Sequence, residues 1–147
     1  MRANAHERHV CAILAPVIIL LIPERLNCIK IHKMINANDS LNEFSGGSEN
    51  LYKYNFGLVI TEGTLALVQK FECFWFLDII ASYLPTLKKE EFQVWTLTKH
   101  SDNSATVKCT DGNDKVLKTQ KIPWTDFSAD ECTIWVEFGT ALLSIEH

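Results

Sequence analysis

The sequence predicts an α+β domain, in which a helical block of two consecutive helices is followed by a five-stranded antiparallel meander. Two observations indicate this class. Before Pro85, two apolar segments have the length and the boundary residues of helices. After Pro85, β-branched and aromatic residues alternate with polar ones in short segments that turn residues separate. Helices followed by a run of strands are typical of an α+β fold.

The helical block begins at a capping residue. Thr61 precedes the segment EGTLALVQK, and its hydroxyl can accept a hydrogen bond from a first-turn N–H group. Glu62 follows, where the positive end of the helix dipole favours a carboxylate. The second helix is predicted over residues 72–84, because the Pro85 ring disfavours helical backbone at the residue before it. A short strand is expected near residues 58–60, ahead of the block.

Five segments after Pro85 are the predicted strands of the meander. The loop TDGND, in which Gly112 can adopt a positive φ, separates the second strand from the third. Gly139-Thr140 is the expected two-residue connection of the last hairpin. Each strand is expected to pair with its neighbours along the chain, in the order FQVWTLTKH, SATVKCT, KVLKTQKIPW, CTIWVEF and ALLSI.

The first 33 residues differ from the rest of the chain. They are rich in basic residues and contain an apolar run, residues 10–22, that Pro16 interrupts. This run is shorter than the roughly 20 residues that a membrane-spanning helix needs. We interpret residues 1–33 as an N-terminal extension upstream of the true start at Met34. An export signal and a membrane tether are the alternatives. A single α+β domain is therefore predicted over residues 34–147.

The charge of the predicted domain restricts its partners. Residues 1–33 hold five of the 14 basic and two of the 18 acidic residues, so residues 34–147 keep nine and 16, a net charge of −7. Direct nucleic-acid binding is disfavoured, because contacts of basic residues with phosphates supply much of that affinity. An acidic surface can instead bind a basic surface of another protein. We expect a cytoplasmic protein, with no membrane contact unless residues 10–22 are a real signal or tether.

The cysteines and histidines of the predicted domain predict no metal site. Cys73, Cys109 and Cys132 are odd in number, and no two of them form a CxxC pair. The only histidines are His100 and His147, far apart in the sequence. We therefore expect buried or half-buried thiols in a reducing compartment, with neither a bound metal nor a cofactor.

Seven short motifs, taken in order, carry a resemblance to a known family. They read FSGGSENLYKY, LVITEGTLALVQ, FWFLDIIASY, FQVWTLT, CTDGND, TQKIPWTDF and LLSIEH. Together they resemble domain-of-unknown-function family 6876, which comprises small single-domain proteins of prokaryotes and phages. Its usual pattern has F-T-G-T-E-x-x-Y, T-D-G-V, A-Y-W-L-x-D-x-I-A-S, F-Q-V-W, D-G-N, Q-x-I-x-Y-T-D-F-P and a closing L-P-S-E-Y.

The resemblance covers residues 41–147, with few departures. Glu62 replaces the usual Asp, Trp124 replaces Tyr, Ser128 replaces Pro, and the chain ends in IEH instead of SEY. The resemblance implies a fold and a domain start near Met34. It implies no activity and no functional residue.

Asp78 is the first candidate site residue, because it interrupts the apolar segment FECFWFLDIIASYL. An apolar environment can raise the pKa of a carboxyl group and prepare it for general acid or base catalysis. The alternative is a structural anchor, at least half buried, that accepts hydrogen bonds from backbone N–H groups, Ser82 or the Trp75 indole. We favour the anchor, because no histidine or second carboxylate is near in sequence to assist catalysis.

Two loops supply the remaining candidates. Asp126 in TDF and Asp111 in TDGND each have the sequence context of a turn, in which the carboxylate bonds nearby backbone. Asp111 also resembles the start of a calcium loop, but Ile122 occupies the position of the required glutamate. Trp124 follows Pro123 into a loop and is the tryptophan most expected to be exposed. A protein contact is its functional interpretation, and a place in the core is the favoured alternative.

These observations favour a small non-enzymatic protein-binding or regulatory domain. The alternative is a small enzyme that uses Asp78 or Asp126 as general acid or base. The two classes differ in surface: an enzyme needs a concave site where polar groups converge, whereas a binding module presents a flat or edge-strand surface with exposed aromatic side chains.

Overall fold

A computed structural model describes residues 33–147. The extension, signal and tether interpretations of residues 1–33 therefore fall almost entirely outside the described residues. The domain is α+β, with two helices and one seven-stranded sheet. The helices are α1 (Glu62–Lys70) and α2 (Phe74–Tyr83). The strands are β1 (Leu51–Lys53), β2 (Val59–Thr61), β3 (Phe92–Lys99), β4 (Ala105–Thr110), β5 (Val116–Ile122), β6 (Glu131–Glu137) and β7 (Thr140–Leu142).

The predicted meander is wrong in its strand order. The sheet runs β1-β2-β7-β6-β3-β4-β5, so β6 pairs with β3 and not with β5. The burial of the strands explains the order. In β3 alternate residues are buried, among them Trp95 and Leu97, which suits the middle of a sheet. In β5 no residue is fully buried, and the strand contains two lysines, Lys118 and Lys121. Both features are typical of an edge strand that does not pair with another chain.

The N-terminal strands join the same sheet from the opposite side. The strand expected near residues 58–60 is present as β2, whereas β1 was not predicted. β1 and β2 form an antiparallel pair, and β2 pairs in parallel with β7, the last strand of the chain. The sheet is therefore mostly antiparallel with one parallel pair, and its two halves are joined through β7.

The first predicted helix is confirmed in position and cap. The Thr61 hydroxyl accepts a hydrogen bond from the Thr64 N–H at 3.2 Å, and Glu62 lies in the first turn of α1. The second helix is shorter than predicted. Glu72 has a φ of 50°, which interrupts the helical backbone between α1 and α2. At its other end α2 gives way to a 3-10 turn, Leu84–Leu87, that contains Pro85.

The core lies between the helices and one face of the sheet. Phe76, Leu77 and Ile80 of α2 are fully buried, as are Trp95 and Ile134 on the strands. The expected thiols are part of this core: Cys73, Cys109 and Cys132 are all free and buried. Burial raises the pKa of Cys73 and of Cys109 to about 12.

Two turns were predicted from the sequence, one in TDGND and one in the last hairpin. In TDGND, the Asp111 carboxylate accepts hydrogen bonds from the Asn113 and Lys115 N–H groups at 2.8 and 3.2 Å, which confirms the turn chemistry. In the last hairpin the turn residues are Phe138 and Gly139, one position earlier than predicted, since Glu137 pairs with Thr140.

No helix in the described part of the chain is long and apolar enough to cross a membrane.

One side chain completes the sheet where a strand is missing. β7 pairs only with residues 135–137 of β6, and an isolated parallel bridge joins Asn36 to Glu131, so the edge of β6 at Thr133 has no strand beside it. The Asn38 amide fills it: its nitrogen donates to the Thr133 carbonyl at 2.7 Å, and its oxygen accepts from the Thr133 N–H at 2.8 Å. Asn38 thus forms the two hydrogen bonds that a neighbouring strand would have formed.

Candidate functional site

Two Phe-Gly pairs form exposed turns of unusual backbone geometry. Phe56 has a φ of 57° and Gly57 a φ of 85°; Phe138 has a φ of 47° and Gly139 a φ of 81°. Positive φ is ordinary for glycine, but for a bulky residue it marks a backbone outlier. Phe56 and Phe138 are also the most exposed large apolar side chains among the described residues, at 71% and 72%.

The sheet register brings the two turns to the same end of the molecule. β2 follows the first turn and β7 follows the second, and Val59 at the start of β2 pairs with Thr140 at the start of β7. Because the two strands are parallel, both turns precede them on the same side. The Val59 N–H donates to the Gly139 carbonyl at 3.0 Å, which joins the turns directly.

The segment after α2 lies between the two turns. One depression, of about 250 Å³, is lined by Phe56, Gly57, Leu84, Pro85 and Lys88. A second of the same volume shares two of these residues and is lined by Leu84, Leu87, Lys88, Glu90, Glu91, Gln93, Phe138 and Gly139. The shared residues make the two depressions adjacent. We call the two Phe-Gly turns together with residues 84–91 the Phe-Gly surface.

Asp78 holds the first turn against α2. Its carboxylate accepts a hydrogen bond from the Tyr54 hydroxyl at 2.8 Å and from the Asn55 side-chain amide at 3.3 Å. It lies on the exposed side of α2, so the buried surroundings expected from the sequence are absent. The partners also differ from those expected, because Ser82 donates to the Ile79 carbonyl instead. Burial, and then the hydrogen bond and charge of Asp78, raise the pKa of Tyr54 to about 12.

The other loop candidates are exposed. Asp126 makes no hydrogen bond among the described residues, and the turn expected around it depends on Thr125, whose hydroxyl accepts from the Phe127 N–H at 3.1 Å. No hydrogen bond joins Asp126 to Asp78, and neither lines the two depressions. Trp124 is 64% exposed, which agrees with its place as the tryptophan expected in a loop.

A second polar cluster, at the opposite ends of β2 and β7, was missed from the sequence. The Glu146 carboxylate accepts hydrogen bonds from the Thr61 hydroxyl at 2.7 Å, the Gly63 N–H at 3.2 Å and the Leu143 N–H at 2.8 Å, and from the Ser48 hydroxyl. These four donors come from three segments of the chain. The carboxylate also lies at the N-terminus of α1, where the helix dipole favours negative charge. We call this group the Glu146 cluster.

The Glu146 cluster explains a glycine. A Cβ atom at Gly63 would lie 2.6 Å from the Glu146 carboxyl carbon, so only glycine leaves room for the carboxylate. The signal in the sequence was present but divided: Ser48 belongs to FSGGSENLYKY, Gly63 to LVITEGTLALVQ and Glu146 to LLSIEH. No spacing rule connects three motifs that are so far apart.

Comparison with protein families agrees with the motifs. A family model, described as a family of unknown function (DUF6876), matches residues 35–147. The chain belongs to this family. No curated protein and no solved structure matches the chain. The part of the chain that matches DUF6876 contains both Phe-Gly turns and the whole Glu146 cluster. Within residues 33–147 of this DUF6876 protein, no three His, Cys, Asp or Glu side chains converge as a metal site would require.

Proposed function

We propose that the DUF6876 domain is a non-enzymatic protein-binding or regulatory domain, and that it binds its partner through the Phe-Gly surface. The observation that carries the proposal is the pair of exposed phenylalanine side chains, Phe56 and Phe138, that the β2–β7 register holds at one end of the sheet. Exposed aromatic side chains beside apolar depressions are typical centres of protein–protein interfaces.

The backbone geometry supports a role for the phenylalanine rings beyond the turns themselves. A left-handed backbone costs a residue other than glycine about 1–2 kcal/mol. In a two-residue hairpin turn with two positive φ angles, Asn-Gly is the favoured pair. Phenylalanine therefore makes both turns less stable than asparagine would, and the exposed rings gain little from burial. Residues that destabilise a fold in this way are frequent at functional sites.

The charges around the surface indicate the chemistry of the partner. Glu90 and Glu91 line the depression beside Phe138, and Lys88 lies between the two turns. The domain from residue 34 onward has a net charge of −7. We therefore expect a partner that places an apolar side chain between Phe56 and Phe138 and a basic side chain near Glu90 or Glu91. We further place the domain in the prokaryotic cytoplasm, an assignment supported by its three reduced thiols and by the family resemblance.

The experiment compares three baits from the full chain: the native protein, the double variant Phe56→Asn/Phe138→Asn, and Trp124→Ala. Asparagine tolerates positive φ, so the double variant keeps both turns. Trp124→Ala removes an exposed aromatic side chain outside the Phe-Gly surface and is the matched control. Proteins captured from host lysate are quantified by mass spectrometry, and the captured protein is then purified and titrated by calorimetry.

We expect one basic protein to be retained by the native and Trp124→Ala baits and lost from the double variant. Its purified form should bind at least about tenfold more weakly to the double variant, since two central aromatic contacts are absent. Equal affinity of the purified protein for all three baits would contradict the proposal.

A further inference from the structure

A separate depression lies at the end of the sheet opposite to the Phe-Gly surface, between the β3–β4 turn and the end of β5. It has a volume of about 400 Å³, within the range of about 300–1,000 Å³ typical of small-molecule sites. It shares no lining residue with the Phe-Gly surface. The side chains that concern its chemistry are those of His100, Ser104, Thr106, Lys121 and Pro123.

Backbone hydrogen bonds hold the walls in place. The His100 N–H donates to the Ser104 carbonyl at 2.8 Å, which closes the β3–β4 turn. The Thr125 N–H donates to the Asn103 carbonyl at 2.8 Å, which fastens the loop after β5 to that turn. The depression is therefore formed by two segments that are joined to each other, and it is present before any ligand binds.

Polar groups that can bind an anion converge on one side of the depression. Thr106 and Lys121 are directly opposite each other on β4 and β5, so their side chains lie on the same face of the sheet. The Thr106 hydroxyl is 2.8 Å from the His100 Nε2 atom, and this contact orients the imidazole. Lys121 forms no ion pair within residues 33–147, where the one pair present joins His147 to Glu137.

The carboxylate of the β3–β4 turn is engaged within that turn. Asp102 accepts hydrogen bonds from the Ser104 N–H at 3.0 Å and from the Ser104 hydroxyl at 2.6 Å, and it does not line the depression. The Lys121 ammonium group has no ion pair, like the other lysines within residues 33–147, and it is distinguished by its place beside Thr106 and His100. It leaves a local site of positive charge in an acidic protein.

The opposite side of the depression is apolar. Pro123 lines it, whereas the Ile122 side chain, opposite the buried Ala105, packs against the core on the other face of the sheet. The next residue along the chain is Trp124, which is 64% exposed. Trp124 lies between Pro123, which lines the depression, and Thr125, whose N–H is hydrogen-bonded to the Asn103 carbonyl. The Trp124 backbone is therefore held at the rim of the depression. A flat apolar group has a complementary surface here.

We infer that this depression binds a small organic anion, in which a phosphate or carboxylate group is attached to a flat apolar ring. Lys121 neutralises the anion; the His100 Nε2–H donates to the Thr106 hydroxyl oxygen, which directs the Thr106 hydroxyl proton to the anion. Pro123 contacts the ring, and Trp124 contacts its outer edge. This inference does not depend on the proposed protein partner, because the two surfaces have no residue in common.

The test is a titration of the full chain, labelled with ¹⁵N, followed by the shifts of its backbone amides in NMR spectra. Three probes are compared at constant ionic strength: phenyl phosphate, inorganic phosphate and benzyl alcohol. Lys121→Gln removes the charge from the depression, and Lys115→Gln removes an exposed charge at the opposite end of β5 that does not line it. Lys121→Arg restores the charge.

We expect phenyl phosphate to shift the amides of residues 100–106 and 121–125 in a saturable manner, and to bind more tightly than either other probe. Lys121→Gln should weaken this binding about tenfold, whereas Lys115→Gln and Lys121→Arg should leave it nearly unchanged. Three results would overturn the inference: no saturable shift with phenyl phosphate, equal binding of inorganic phosphate, or equal binding to Lys121→Gln in a variant whose other amide signals are unchanged.

Discussion

At the scale of single residues, the Glu146 carboxylate has the densest set of hydrogen bonds in the described part of the chain. It connects the loop at Ser48, the cap of α1 and the end of β7. A carboxylate in such a position has most of its acceptor capacity used, and hydrogen bonds to charged groups are stronger than neutral ones. Glu146 therefore stabilises the attachment of the C-terminal segment to the first helix.

Gly63→Ala tests this attachment. In a helix, alanine usually stabilises relative to glycine by about 1 kcal/mol. Here the new Cβ would displace the Glu146 carboxylate, so we expect the free energy of unfolding to fall by about 1–3 kcal/mol. Urea denaturation measures the change. The control is Gly63→Ala in a Glu146→Ala background, where the loss should largely disappear; an equal loss in both backgrounds would contradict the role of the carboxylate.

Asp78 is tested through the tyrosine that it contacts. Asp78→Asn removes the hydrogen-bonded charge, so the pKa of Tyr54, now about 12, should fall toward 10 without reaching it, since burial persists. Because the folded pKa is the higher, the stabilisation by this group is complete below pH 10 and is lost between pH 10 and 12. Tyrosinate absorbance measures the titration of all tyrosines, and its difference from the titration of Tyr54→Phe gives the contribution of Tyr54. An unchanged Tyr54 titration in Asp78→Asn would contradict the contact.

At the scale of elements, the β6–β7 hairpin has a turn residue that its geometry disfavours. Phe138→Asn creates Asn-Gly at two positions with positive φ. We expect the free energy of unfolding to rise by about 0.5–1 kcal/mol, because asparagine tolerates this backbone. Trp124→Asn is the matched control, since Trp124 is also exposed but has no positive φ. If urea denaturation shows Phe138→Asn to be no more stable than the native protein, the backbone strain inferred here is absent.

The edge of β6 at Thr133 is paired by one side-chain amide, that of Asn38. Asn38→Ala should lower the free energy of unfolding by about 1–2 kcal/mol, because both Thr133 backbone groups lose their partner. Asn38→Asp should cost more, since a carboxylate cannot donate to the Thr133 carbonyl and is repelled by it. The control is Asn42→Ala, whose amide makes one exposed bond to Asp39. If chemical denaturation gives Asn38→Asp a higher free energy of unfolding than Asn38→Ala, the strand-like pairing is refuted.

The elements that were predicted correctly are those whose signals are local. The Thr61 cap is bonded to a residue three positions later, and the Asp111 turn is closed within four positions. The sheet order was not predictable in the same way. Alternation identifies β3, β5 and β6 as strands, but β6 pairs across the whole of β4 and β5 with β3. That choice depends on which strand can be buried, which is a property of the assembled sheet.

The sites show the same limit. Helical spacing relates Asp78 only to residues within one turn, yet its Tyr54 partner is 24 positions earlier in the chain. Ser48 and Glu146 are 98 positions apart. The exposed turns were missed for a different reason: Phe-Gly is an ordinary dipeptide, and only the backbone angles and the β2–β7 register show that two of them lie together.

At the scale of the whole molecule, we predict that the fragment of residues 34–147 folds without residues 1–33. Its helices, its sheet and a contiguous core of buried side chains lie within it. The fragment should show a single cooperative thermal transition by circular dichroism, at nearly the temperature of the full chain. A cooperative transition for the full chain with none for the fragment would show that residues 1–33 are required.

The parallel pairing of β2 with β7 also determines when the protein can fold during its synthesis. β2 is joined to the rest of the sheet by β7, and Val59 of β2 pairs with Thr140, so most of the domain is synthesised between these two strands. Until β7 has left the exit tunnel of the ribosome, β1 and β2 have no sheet to join. The native topology therefore forms only after β7 has emerged, and a nascent chain that stops before Thr140 would leave its early strands accessible to chaperones and proteases.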